Sequence, residues 1–294
     1  ANTYTGDTTI SAGILRAEHN TAFGSGTVQV EDGAALNLNG KTISNNFEIA
    51  GTGYSGSGVI YTSGTISGAI TMVANSVITN NGGLTLSGVV SGGYALTKTG
   101  SGTLTLSGTN TYTGATTVSA GTLAISNASA LGASTGGVTV ASGATLDLLS
   151  VSVADEALTL NGGKLKDATS SWSGNITLGA DSDFEVASGD TLTIGGVISD
   201  GGNGYAITKL GAGTLTLNGE NTYSGATTVS AGSLVVGGSG SLGAGSYAAN
   251  IVNNGVFEFA STADQILAGV ITGSGVVSKT TSTTSKLSLM GNNS

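Results

Sequence analysis

The chain has 294 residues, with 8 Lys or Arg against 17 Asp or Glu for a formal charge of −9, and it holds 51 glycines, one His, no Pro and no Cys. The acidic balance argues against nucleic acid and anionic membrane as partners, and one His without Cys leaves no zinc centre and no disulfide. No apolar run approaches the ~18 residues of a membrane-spanning helix, and a start at Ala1 without a leader reads as a mature or excised piece.

In chain order, the first segment is Asn2–Leu15, NTYTGDTTISAGIL. A turn at Ala22-Phe23-Gly24 follows, then short alternating stretches whose inward residues are expected to be Val28/Val30, Leu36/Leu38, Phe47/Ile49, Val59/Tyr61, Ile70/Met72 and Val77. Successive side chains of a strand face opposite sides, so one apolar residue at every second position marks one buried face. Ala95–Ser126 then reads ALTKTGSGTLTLSGTNTYTGATTVSAGTLAIS, which contains the opening segment and extends it. Leu104 and Leu106 alternate there with Thr103 and Thr105, and Val118, Leu123 and Ile125 follow across two polar turns. The same course is run again by Val138/Val140, Leu146/Leu148, Leu158/Leu160, Ile176/Leu178, Phe184/Val186 and Leu192/Ile194.

Ala206–Gly237, AITKLGAGTLTLNGENTYSGATTVSAGSLVVG, repeats Ala95–Ser126 almost letter for letter, and Lys286–Ser294 (KLSLMGNNS) is a worn copy of its first part. The spacing of the NTY asparagine is 108 residues from Asn2 to Asn110, 111 from Asn110 to Asn221, and 72 from Asn221 to the matching Asn293. Modules of approximately 1–94, 95–205 and 206–294 follow, the last shortened, within a single continuous body over 1–294. Phe257/Phe259 stand where the second module has Leu146/Leu148, which should enlarge that layer. Strands this short, broken by Gly, Asn and Ser, suit a coil stacked on its neighbour rather than a free sheet. The expected fold is all-β, a parallel β-helix of roughly 13 coils and on the order of 60 Å long from the strand spacing. Absence of proline fits strands paired on both sides.

The pattern G-x-G-T-L-T-L-x-G-x-N-T-Y-x-G-x-T-T-V-S-A-G-x-L, complete at Gly100–Leu123 and Gly211–Leu234, closely resembles the passenger-associated repeat of bacterial autotransporters. That resemblance implies a right-handed parallel β-helix outside the cell on a bacterial surface. It leaves the activity open, since passengers include adhesins, proteases and stalks.

Candidate chemistry is sparse. Asp181, Asp183 and Glu185 share one outward face, a row suited to Ca²⁺ or to an acid/base pair, with a solvated face as the plainer reading. His19 lies in the turn Glu18-His19-Asn20 and reads as surface, and Asp200–Tyr205 (DGGNGY) reads as a plain turn. Lys98, Lys209 and Lys279 occupy matching places and read as strand-end charges that oppose edge pairing. Tyr4, Tyr112 and Tyr223 recur once per module as half-buried corner residues, and Trp172 reads as an isolated exposed aromatic able to meet a glycan or a partner. The residues expected at an assembly interface are Asn2, Tyr4, Ile10, Leu287, Leu289 and Met290, because the last segment and the first together rebuild the repeat. With no cap visible at either end, stacking on itself or on flanking repeats of a longer chain is expected.

These observations favour a non-enzymatic extracellular β-helix: a stalk, an adhesin segment or a head-to-tail fibre subunit, with no cofactor and no metal. A polysaccharide-binding or polysaccharide-degrading β-helix enzyme is the alternative. An ice-binding protein is the third reading, from the outward pairs Thr103/Thr105, Thr191/Thr193 and Thr214/Thr216.

Overall fold

The computed structural model describes residues 1–280 and 284–292, so the expected marker Asn293 lies outside the described residues. Two compact units are formed, Ala1–Asp147 and Leu148–Ser294. Both are parallel β-helices, and the described residues make about 14 turns in total, in line with the roughly 13 coils expected.

In the first unit one ladder runs through Thr8–Ile10, Val28–Val30, Phe47–Gly51, Ile70–Thr79, Leu96–Thr99, Thr116–Val118 and Val138–Ala141, every pair parallel. A second runs through Thr42–Ile43, Gly64–Ile66, Gly83–Leu86, Thr103–Leu106 and Thr122–Ile125. In the second unit Ser152–Val153, Ser170–Trp172, Thr191–Ile194, Thr214–Leu217, Ser233–Val236, Val256–Phe259 and Val276–Lys279 form the longest ladder. Beside it lie Lys164–Asp167, Ser182–Val186, Ile207–Leu210, Thr227–Val229, Ile251–Asn253 and Ile271–Thr272. The C-terminal strand Leu287–Leu289 lies on Gln265–Leu267, which lies on Ser246–Tyr247.

Register follows from the alternation. A shift of one residue would turn a whole apolar set out to water, and here leucine stacks on leucine: Leu84, Leu104 and Leu123 in one row, Leu86, Leu106 and Ile125 in the next. Leu104, Leu106, Val118 and Leu123 are fully buried, as are Leu215, Leu217, Val229 and Leu234 in the second unit. Each such side chain contributes about 1.5–3 kcal/mol when removed from water. Phe257 and Phe259 are also fully buried, so the larger pair fills the layer as expected.

Two inward assignments are corrected. Ile60 rather than Tyr61 enters the core, and Tyr61 instead turns out, its hydroxyl accepting from Asn37 Nδ2 at 3.2 Å. Ser76 and Ile78 rather than Val77 face in, because they keep the even-numbered alternation of Ile70 and Met72 along the strand Ile70–Thr79. The pairing with the preceding strand shifts there from Ile49↔Met72 to Gly51↔Ser76, an insertion of two residues that leaves the parity unchanged.

The turns are held by side-chain amides. Inside, Asn110 Oδ1 accepts from Val90 N at 2.8 Å while its Nδ2 donates to Ala130 O at 2.6 Å, and Asn221 does the same between Ile198 N and Ser241 O. Outside, an Asn or Asp carboxamide or carboxylate oxygen accepts the backbone N–H of the following coil, as in Asn75 to Ala95, Asn175 to Val197 and Asn250 to Val270. Buried turn groups without such partners would each cost about 1–3 kcal/mol. The Ser-Ala-Gly turn needs its glycine: Gly121 and Gly232 have φ of 67° and 66°, and a Cβ there would sit 2.4 Å and 2.3 Å from carbonyl oxygens of the preceding coil.

Candidate functional site

The acid row of the second unit faces outward as expected, but it is already engaged. Asp183 pairs in register with Lys164 and Glu185 with Lys166, and Lys164 Nζ reaches Glu185 Oε2 at 2.5 Å. Asp181 is one of the coil-linking acceptors, taking Ala206 N–H at 2.8 Å. Strand parity therefore brings the three acids onto one side, and neighbouring coils supply partners to Asp181 and Glu185. Among the described residues no group of three or more His, Asp or Glu is placed to hold a metal ion.

Trp172 is the plainest correction. It is fully buried, stacked in register between Val153 and Ile194, so it is a core residue and no glycan platform. Tyr112 and Tyr223 are likewise fully buried rather than half-buried, while Tyr4 is 42% exposed. All three use one internal bond, from the tyrosine hydroxyl to the threonine four residues on: Thr8 at 2.5 Å, Thr116 at 2.7 Å and Thr227 at 2.8 Å. Tyr223 also meets Tyr247 edge to face, with ring centroids 5.7 Å apart. Burial drives both phenols up, Tyr223 well above its ordinary value and Tyr247 to about 12.

Lys98 and Lys209 overturn the reading as strand-end charges. Both are fully buried. Lys98 Nζ donates to Thr99 O, Gly100 O and Ala120 O at 2.7, 2.8 and 3.1 Å, and Lys209 Nζ to Leu210 O, Gly211 O and Ala231 O at 2.8, 2.7 and 3.3 Å. One ammonium thus ties its own turn to the Ser-Ala-Gly turn of the next coil. Burial lowers both groups to about 8. Lys279, in contrast, is exposed.

Asp200 is the hub of its turn. Its buried carboxylate accepts from the backbone N–H of Gly202, Gly204, Tyr205 and Ser224, and from Ser224 Oγ at 2.8 Å. Burial raises its pKa, and these donors outweigh burial to leave it lowered. His19 is exposed, with Nδ1 2.9 Å from Thr21 Oγ1.

The expected interface residues lie on the first and last described coils. Asn2 Nδ2 donates to Ala22 O at 2.7 Å, Ile10 is nearly buried, and Leu287 is half-buried, whereas Leu289 and Met290 are 49% and 69% exposed. Tyr4, Leu15 and Phe23 line an open recess of about 480 Å³ in the first unit. Ile271, Gly273, Val277 and Leu289 line another of about 210 Å³ in the second.

The passenger-associated-transport-repeat family matches residues 1–17, 96–125 and 207–236. The adhesin BmaC autotransporter of Brucella suis biovar 1 (strain 1330) is 38% identical over 245 residues, which cover 78% of this chain and 6% of that protein. The chain thus spans a small fraction of the length of this relative. No solved structure matches the chain.

Proposed function

Since the chain is an autotransporter passenger-repeat protein, we propose that it serves on a bacterial cell surface as a non-enzymatic structural and adhesive segment. Its products would be reach and surface, supplied by stacked coils whose stability is a sum of similar coil-on-coil terms. The observation that carries this reading is the state of the acids. Asp181 is bonded to the backbone of the next coil and Glu185 to Lys164, so this row does not stand as a free acid/base pair of the kind a glycosidase uses. The 38% identity to an adhesin passenger supports the adhesive part, with a host-surface glycan or protein as the partner class.

Two substitutions test it. Asp183→Ala should change stability by no more than about 0.5 kcal/mol, as for an ordinary surface position. Glu185→Ala should cost about 0–1 kcal/mol through the lost Lys164 pair. Polysaccharide panels incubated with the wild type should release no new reducing ends. Turnover that disappears in Asp183→Ala would overturn the assignment. Display of the chain on a non-adherent bacterium should raise attachment to host cells or immobilised glycans, and attachment equal to the empty display host would remove the adhesive part.

A further inference from the structure

The chain carries six Asn-Gly pairs, at Asn39, Asn81, Asn161, Asn203, Asn218 and Asn254. In such a pair the glycine nitrogen can reach the preceding side-chain amide, because no Cβ stands in its way. The fold has closed most of them. Gly40 N–H donates to Ser63 O at 2.9 Å, Gly204 N–H to Asp200 Oδ2 at 2.9 Å and Gly255 N–H to Asn253 Oδ1 at 3.2 Å, so three of the nitrogens are engaged. Gly219 is buried, and the Asn161 amide oxygen lies against Gly179, which offers it no side-chain donor. Asn81 and Gly82 are both exposed, and Gly82 N–H meets no acceptor among the described residues.

Asn80-Asn81-Gly82 in the first unit and Asn253-Asn254-Gly255 in the second are the same motif at the same place in a coil. Gly102 N–H donates to Asn80 O, and Gly275 N–H to Asn253 O, both at 2.8 Å. The amide oxygen of the second asparagine accepts a serine N–H one coil on, Ser101 at 3.0 Å for Asn81 and Ser274 at 3.4 Å for Asn254. Ser101 Oγ also donates to Asn81 Oδ1, at 3.3 Å. The two motifs part at the glycine nitrogen. Asn253 Oδ1 occupies Gly255 N–H, whereas Asn80 turns its Nδ2 onto Gly82 O and Thr103 O, at 2.6 and 2.8 Å, and its buried Oδ1 has no partner. The first motif therefore leaves its nitrogen open and holds two donors on the amide oxygen. Those donors stand where negative charge collects if the nitrogen adds to Cγ.

We propose that Asn81 is a self-modification site, at which the chain converts its own asparagine through a succinimide. Gly82 N gives up its proton and bonds Asn81 Cγ, the Cγ–Nδ2 bond breaks, and Nδ2 leaves with that proton as ammonia. Water then opens the ring at one of its two carbonyls. Opening at the backbone side returns a normal chain with aspartate or diverts it through the side chain as isoaspartate, according to the bond that water breaks. Each product adds one negative charge. The aspartate keeps the link to Ser101, since carboxylates already hold such links at Asp7 to Thr27, Asp181 to Ala206 and Asp264 to Lys286. The isoaspartate adds a methylene to the backbone just before the strand Gly83–Leu86, moves the acceptor and loosens that turn from the next coil.

The purified chain, held at body temperature and mildly alkaline pH in water enriched in the heavy isotope of oxygen, should take up that label at position 81. Peptide mass mapping locates it, and isoaspartyl methyltransferase distinguishes the two products. Asn81 should convert about fivefold faster than Asn254 or more, since one hydrogen bond on the attacking nitrogen separates the two sites. That comparison is made within one folded chain and needs no variant. Gly82→Ala should slow conversion about tenfold or more by crowding the nitrogen. Its Cβ would approach nothing closer than Ser63 Cβ, at 3.3 Å, so the variant should keep the fold. Asn81→Asp should keep the wild-type denaturation midpoint, and the isoaspartate fraction of an aged sample should unfold earlier. Equal rates at Asn81 and Asn254 would overturn the assignment. So would an Asn81 that stays intact in the folded chain over a time in which the urea-unfolded chain has converted. A lowered midpoint in Asn81→Asp would overturn the retained link.

Discussion

Leu106→Asp should unfold the coils around it, at a cost of several kcal/mol in urea denaturation at neutral pH. Leu106 is fully buried between Leu86 on one coil and Ile125 on the next, with no side-chain donor in that row. A carboxylate placed there loses its water and gains no partner, so it must either take up a proton or break the stack. Since each coil touches only its neighbours, the damage should begin locally and show as a broadened transition before the whole midpoint falls. Thr105→Asp, one residue away on the outward side, is the control and should shift stability by less than about 0.5 kcal/mol. Equal effects at the two positions would contradict the alternation on which the fold rests.

Stability should rise between pH 8 and about 10 and fall above that, an unusual profile that follows from four buried groups. Lys98 and Lys209 are held at about 8 by burial, against an unfolded value of 10.5. Between those values the unfolded chain binds more protons than the folded one, so stability increases with pH across that window. Each pH unit of separation corresponds to about 1.4 kcal/mol for each lysine. Tyr223 and Tyr247 act in the opposite sense, because burial raises both above the ordinary 10.0. From about pH 10 the unfolded phenols ionise while the folded ones stay protonated, and stability declines. Denaturation midpoints measured from pH 7 to 11 should trace this rise and fall. The double variant Lys98→Met, Lys209→Met keeps the apolar stems and should abolish the rise. At pH 7 it should also be destabilised, because three turn carbonyls at each site lose their donor, on the order of 2 kcal/mol per site. A wild-type profile that is flat from pH 8 to 10 would show that the carbonyl cage holds both ammonium groups charged well above pH 8.

The outward Thr pairs bear on the ice-binding reading. Thr191/Thr193 and Thr214/Thr216 do stand in register on adjacent coils. The next strand of that ladder places Ser233 and Val235 in the same columns, and the one after it Val256 and Glu258, so the ladder of T-x-T pairs does not continue.

Much of this molecule was written in its alternation. Thr-Leu-Thr-Leu strands with polar turns between them admit one burial scheme, and a repeat of the same letters makes like residues stack on like. Core position, parallel pairing and the deep placement of Leu104, Leu106, Leu215 and Leu217 therefore followed from local pattern alone. Parity also held an unread signal: Lys98 lies two residues after Leu96, and Lys209 two after Ile207, so the rule that buries the apolar residue buries the lysine. The reading as a surface charge put polarity before periodicity. Trp172 was hidden for another reason, since its neighbours Ser170, Ser171 and Ser173 carry no apolar alternation to declare a face. Its burial is decided by Val153 and Ile194, 19 residues before and 22 after it. The shifted register within Ile70–Thr79 is of the same kind. Two extra residues there shift the pairing with Phe47–Gly51 without changing which side is in, and only the partner strands Phe47–Gly51 and Leu96–Thr99 reveal where the shift falls. Sequence alone thus determined the repeat, the coil and most of its core, because those depend on period. Tertiary structure decided the partners of the buried lysines, of Asp181 and of Glu185, and the burial of the tryptophan, because each depends on a neighbouring coil some twenty residues away.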